Sequence, residues 1–111
     1  MTLADFNSIL QTTELPVAYR SFPEGDLKNP PPNPPFVCYL ETDTNNFSAD
    51  GIVYARIVRL AVELYTEKKD IEVERKVEKA LSSFYWNKSE EYLDDEECYF
   101  TLYELEVVLN G

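Results

Sequence analysis

The hydrophobic pattern is strongest between Ile52 and Phe84, where a long strand runs straight into an amphipathic helix. Val58, Leu60, Val62 and Leu64 alternate with Arg59, Ala61 and Glu63, the period of two that marks a strand with one buried face. Upstream the apolar set is Val53, Ala55 and Ile57, so the phase flips at Ile57-Val58. Such a run is long for a strand, and a flip inside it implies a bulge or a strand that outgrows its own core. Part of this strand is therefore expected to project. Asp70 can cap the free amides of a following helix, in which Val73, Val77, Ala80, Leu81 and Phe84 share one face.

The flanking segments read as cover for this unit. Thr2 and Asp5 have capping-box spacing, and Leu3, Phe6, Ile9 and Leu10 form a helical stripe that ends before Pro16. Val17 to Phe22 reads as a first strand. Between Pro23 and Pro35 lie all the prolines except Pro16, a composition that can neither pair in a sheet nor continue a helix. This loop is expected to be a stiff connector, although its polyproline stretch could also dock on an aromatic groove. Phe36 to Glu41 forms a second strand, joined to the long one as a hairpin through the turn-rich Thr42 to Gly51. After the second helix, a short strand around Tyr85 to Lys88 precedes the acids Glu90, Glu91, Asp94, Asp95, Glu96 and Glu97. Cys98 to Leu109 then alternates as a closing strand beside the long one. The fold expected is a single α+β domain over residues 1–111. Its sheet is mainly antiparallel with four to five strands, two helices cover one face, the order is α-β-β-β-α-β, and one long hairpin projects.

Charge narrows the partners. Against 10 basic residues stand 21 acidic ones, a net charge of −11, which disfavours binding to phosphate backbones and anionic membrane surfaces. No apolar run approaches the roughly eighteen residues needed to span a bilayer, and the first residues lack the basic and apolar regions of a signal peptide, so an intracellular product is expected. Cys38 and Cys98 lie in apolar, strand-like surroundings far apart in sequence, which excludes a CxxC pair or a four-cysteine zinc site and points to buried free thiols.

Candidate chemistry is sparse. Without histidine there can be no Ser-His or Cys-His nucleophile pair, and the commonest general base is missing, so no catalytic residues and no enzymatic activity are expected. The loop beginning Asp43-Thr44-Asn45-Asn46 starts like a calcium loop but has Ser48 where glycine is needed and Tyr54 where glutamate is needed. The acidic cluster from Glu90 lacks the neutral oxygen ligands and tight turn that would fix an ion. The only glycines are Gly25, Gly51 and Gly111, too few and too dispersed for a phosphate-cradling loop. No metal and no cofactor are expected. Aromatic content is the remaining anomaly, with eight tyrosines, six phenylalanines and one tryptophan. One small sheet cannot bury them all, so some of Tyr65, Tyr85, Trp86, Tyr92 and Tyr99 are expected to stay partly exposed, and Phe47, Tyr54, Tyr65, Trp86 and Tyr92 are candidates for an interface.

Several segments together resemble the tail terminator or tail-completion proteins of long-tailed phages and prophages. They are Leu15 to Phe22, Pro35 to Tyr39, Asn46 to Asp50, Val62 to Thr66 running into Lys69-Asp70, Trp86 with Glu91-Tyr92-Leu93, and Tyr103 to Val107. The resemblance implies a virion structural protein of the tail or neck, present in the host cytoplasm during assembly. It implies a ring, hexameric in expectation, that caps the tail tube protein at the head-proximal end and meets the head completion protein on its other face. DNA would pass through without specific binding, repelled by an acidic lining for which Glu41, Asp43, Asp50 and Glu63 are the candidates from their hairpin positions. Two alternatives are a head-tail joining protein of the same neck and an acidic DNA-mimic inhibitor.

Overall fold

The computed structural model describes residues 1–25, 30–49 and 52–109, and for 45–49 and 52–55 the backbone only. Helix α1 (Leu3–Gln11) starts where expected: Thr2 accepts from the Asp5 amide and Asp5 accepts from the Thr2 amide, a complete capping box. Helix α2 (Ile71–Ala80) is capped by Asp70, whose Oδ1 accepts from the Val73 amide at 3.2 Å. Five strands form one sheet: β1 (Val17–Tyr19), β2 (Phe36–Ala49), β3 (Ile52–Thr66), β4 (Trp86–Leu93) and β5 (Cys98–Leu109), in the spatial order β1-β2-β3-β5-β4.

The α+β class, the mainly antiparallel five-stranded sheet, the hairpin and the placing of β5 beside β3 agree with the sequence pattern, and three details refine it. The sheet is mixed, because β1 runs parallel to β2. Parallel neighbours need a crossover between them, and the proline-rich segment supplies it, so the chain cannot turn there as a hairpin. Second, β1 stops at Tyr19 and does not reach Phe22, since Arg20 takes a left-handed backbone (φ 69°) that no strand continues through. Third, β4 runs on to Leu93 and takes in Glu90 and Glu91, making the order α-β-β-β-α-β-β.

The phase flip at Ile57-Val58 is not a bulge. β3 and β5 pair in unbroken register from Arg56 opposite Leu109 to Thr66 opposite Tyr99, so Ile57 simply faces the other side. The irregularities lie at Thr42 in β2 and at Tyr54 in β3, which the register of the β2–β3 pair skips. Thr42 Oγ1 donates to the Arg59 carbonyl across the first of them, at 3.2 Å.

The core lies on the face covered by both helices. Val37 and Tyr39 from β2, Val58, Leu60, Val62 and Leu64 from β3, and Tyr103, Leu105, Val107 and Leu109 from β5 pack beneath Phe6, Leu10, Val77 and Leu81. Lys69 and Lys88 close the α2 end of this layer. Glu74, only 3% exposed, receives Lys88 Nζ at 2.6 Å and Lys69 Nζ at 2.9 Å. Lys88 also reaches Glu78 at 2.8 Å, and the buried Tyr103 hydroxyl donates to the same Glu78 oxygen.

Candidate functional site

Two surfaces stand out among the described residues: the far end of the β2–β3 hairpin, and the sheet face opposite the helices, which no helix covers and the proline-rich loop covers in part. β5 ends at Leu109, opposite Arg56, while β2 and β3 continue to pair as far as Ala49 and Ile52. Among the described residues the hairpin beyond Arg56 is a ribbon of two strands without a third, and β1 borders β2 at Val37 to Tyr39. A two-stranded ribbon is marginal by itself in water, and both its edges carry unused backbone donors and acceptors.

The open sheet face divides into an apolar and an acidic part. Towards the base of the hairpin's strands, Phe22, Phe36, Tyr65 and Phe100 form a row with successive ring centroids 5.4, 4.8 and 5.3 Å apart. Pro31 and Pro32 of the crossover line a cleft with Phe22, Phe36 and Tyr65, so this loop lies against its own sheet. Cys38 and Cys98 are free and buried beneath this part. Burial, with a contribution from the Glu63 carboxylate, pushes the Cys38 thiol up to about 11, and burial with Glu96 raises Cys98, so neither is a reactive thiolate. Glu91 is exposed at the edge beside Phe100; further along, Glu104, Glu106 and Arg59 are exposed on the same face, and Arg59 holds Glu106 at 3.5 Å.

The three described acids of the proposed lining lie at different places in the chain's own sheet. Glu41 faces the helix side at the root of the hairpin and meets Arg56 at 3.9 Å. Asp43 sits opposite Arg59 across the first irregularity, where its Oδ1 accepts from the Thr44 amide. Glu63 lies on the open face between Cys38 and Leu102, and Asp50 lies outside the described residues. Of the aromatic candidates, Tyr65 belongs to the aromatic row, where burial and then the Glu63 charge push its hydroxyl up to about 12. Trp86 faces the helices and stacks edge-on against Tyr103 at 5.3 Å, which makes it part of the core's border. Tyr92 is 47% exposed at the far end of β4 against Tyr99. Phe47 and Tyr54 both lie in the ribbon. Among the described residues the most exposed aromatic is Tyr85, at 99%, one of those expected to stay exposed though not among the interface candidates. Its position between the last turn of α2 and the first residue of β4 was visible in the sequence, but nothing in the local pattern separates it from Trp86.

Glu63 is the polar exception in the apolar part. It makes no ion pair among the described residues, and burial raises its carboxyl above the ordinary value. A raised carboxyl favours the native state most at low pH and loses that advantage as pH climbs through its native value. Glu63→Gln is therefore expected to stabilise the chain at neutral pH by about 0.5–1 kcal/mol and to flatten the pH dependence above 4.5. Urea titrations of both proteins between pH 4.5 and 8 measure this; a Gln variant less stable at pH 7.5 contradicts it.

Among the described residues no group of three or more Cys, Asp or Glu is arranged to hold a metal ion, and no helix is long and apolar enough to cross a membrane. The chain matches no family model, no curated protein and no solved structure.

Proposed function

We propose that this protein is a non-enzymatic virion subunit of tail-terminator type, which assembles as a ring on the end of a tail tube, stops its growth and presents the other side of the ring to the head. The two-stranded extension of the β2–β3 hairpin carries the reading. A ribbon that outruns its sheet leaves backbone groups that a neighbouring subunit can complete by strand pairing. Six copies related by one repeated heterologous contact close into a ring. At −11 per copy, a channel through that ring repels phosphates and lets a duplex slide, where a basic lining would hold it.

Light scattering across concentration and salt tests this. The expected result is a discrete mass near six subunits, favoured by salt because added ions screen repulsion between copies. Replacing residues 45–55 by a short turn is expected to leave the thermal melt of the remaining sheet within a few degrees and to abolish both the ring and the capping of purified tail tubes. A truncated protein that still caps tubes would rule the reading out.

A further inference from the structure

Positive charge is concentrated on the outer side of α2. Val73, Glu74 and Val77 turn inward, which leaves Ile71, Glu72, Arg75, Lys76 and Lys79 exposed. Arg75, Lys76 and Lys79 make no ion pair among the described residues, and Ile71 is 56% exposed. On the opposite side of the molecule, β5 presents Leu102, Glu104 and Glu106 in succession on the open face. The fully exposed Tyr85 lies beside the two acids and lines a groove with Arg59, Asn87, Glu104 and Glu106, in which Arg59 meets Glu106 at 3.5 Å and leaves Glu104 without a cation among the described residues. A chain with a net charge of −11 thus carries an unpaired cationic stripe on one side and an acidic one on the other.

We infer that the outer stripe of α2 in one copy docks on the open sheet face of the next, a head-to-tail contact between copies of this chain. The inference rests on the self-assembly reading above and names the two surfaces that would meet. Successive stripe residues on the helix stand one turn apart, about 6 Å. Alternate residues on the strand stand about 6.8 Å apart. Setting Lys79 on Glu106 therefore brings Arg75 to Glu104 and Ile71 to Leu102, so two cations meet two carboxylates and an exposed isoleucine meets the start of the apolar part. Tyr85 offers its ring face to the Arg75 guanidinium. Face-to-face pairing of two open faces is disfavoured, since it sets Glu104 and Glu106 against their own copies.

Charge reversal at both surfaces tests the contact, read as mass by light scattering with a thermal melt to confirm folding. R75E/K79E and E104K/E106K are each expected to weaken association at least tenfold. The second variant lowers the chain's overall negative charge, so repulsion alone would make it assemble better. A mixture of the two variants is expected to regain assembly with the two alternating at 1:1, because the altered helix of one fits the altered sheet of the other and the remaining helix and sheet are the natural pair, and the quadruple variant is expected to regain assembly by itself. A wild-type protein that stays monomeric to about 1 mM overturns the contact, since two complementary ion pairs and an apolar pair bind more tightly than that. So does an oligomer that neither reversal changes; the ring reading then still stands or falls on the hairpin truncation. Sensitivity at the sheet but not at α2 also overturns it, and assigns the sheet face to a basic helix of another protein. Open-ended stacks that both reversals abolish uphold the contact and remove the closed ring.

Discussion

Phe6→Ala is expected to cost about 3–5 kcal/mol, enough to abolish most of the stability of a domain this size. Phe6 is fully buried and its ring meets two others, Tyr39 of β2 and Phe84 beyond α2, both at 5.8 Å between centroids. It therefore joins α1 to the sheet and to the end of the second helix at once. Phe6 is held between Tyr39 and Phe84, so the walls cannot collapse onto the cavity without moving α1. The Asn7 amide, which donates to the Tyr39 hydroxyl at 3.0 Å, would lose its partner's position in the same change. Urea unfolding followed by circular dichroism gives the number. A loss below about 1 kcal/mol would mean that α1 is not a fixed part of the core.

What could be read from the sequence is what local chemistry determines. The Thr2–Asp5 capping box, the Asp70 cap and the alternation of β3 and β5 each need only neighbours in sequence, and each is present. The projection of the hairpin was also legible, because the β3 pattern is longer than one small core can cover. β4 was cut short because its burial is confined to its two ends, Trp86 and Leu93; an exposed edge strand of polar residues has the composition of a loop. The parallel placing of β1 was hidden because three residues carry no mark of the direction of their partner. On the candidate surfaces, the acids of the hairpin look equivalent in sequence, whereas the structure sends Glu41 to the helix side and Glu63 to the open face. The cations of α2 were masked in the same way: in IEVERKVEKA the acids and bases alternate too closely to show that Glu74 is turned in and Arg75 out.

The inward turn of Glu74 leads to the second large effect, an asymmetry between the partners of one buried network. Lys88→Met is expected to cost about 2–3 kcal/mol, and Glu74→Met about 1 kcal/mol or less. Removing Lys88 leaves the buried Glu74 with Lys69 alone and takes the cation from Glu78, whose oxygen also accepts from Tyr103. Removing Glu74 leaves two lysines whose side chains are 42% and 32% exposed and can turn to water, and Lys69 keeps Glu90 at 2.7 Å. The pH dependence follows the same groups. Burial alone would push the Glu74 carboxyl up, but hydrogen bonds from Lys88 and Lys69 outweigh it and hold the group below its ordinary 4.5. A lowered carboxyl stabilises the native state fully above its unfolded value, and that stabilisation is lost as pH falls through the native one. Glu63 acts in the other window, its cost growing as pH rises above 4.5. Stability of the wild type should therefore peak on the acid side of neutrality, between the two windows. Glu74→Met should lose the acid limb of the curve and Glu63→Gln the alkaline decline. Urea titrations of the three proteins from pH 3 to 8 separate these limbs: a wild type most stable at pH 8 would contradict the Glu63 assignment, and a Glu74→Met protein that keeps the wild type's fall below pH 4.5 would contradict that of Glu74.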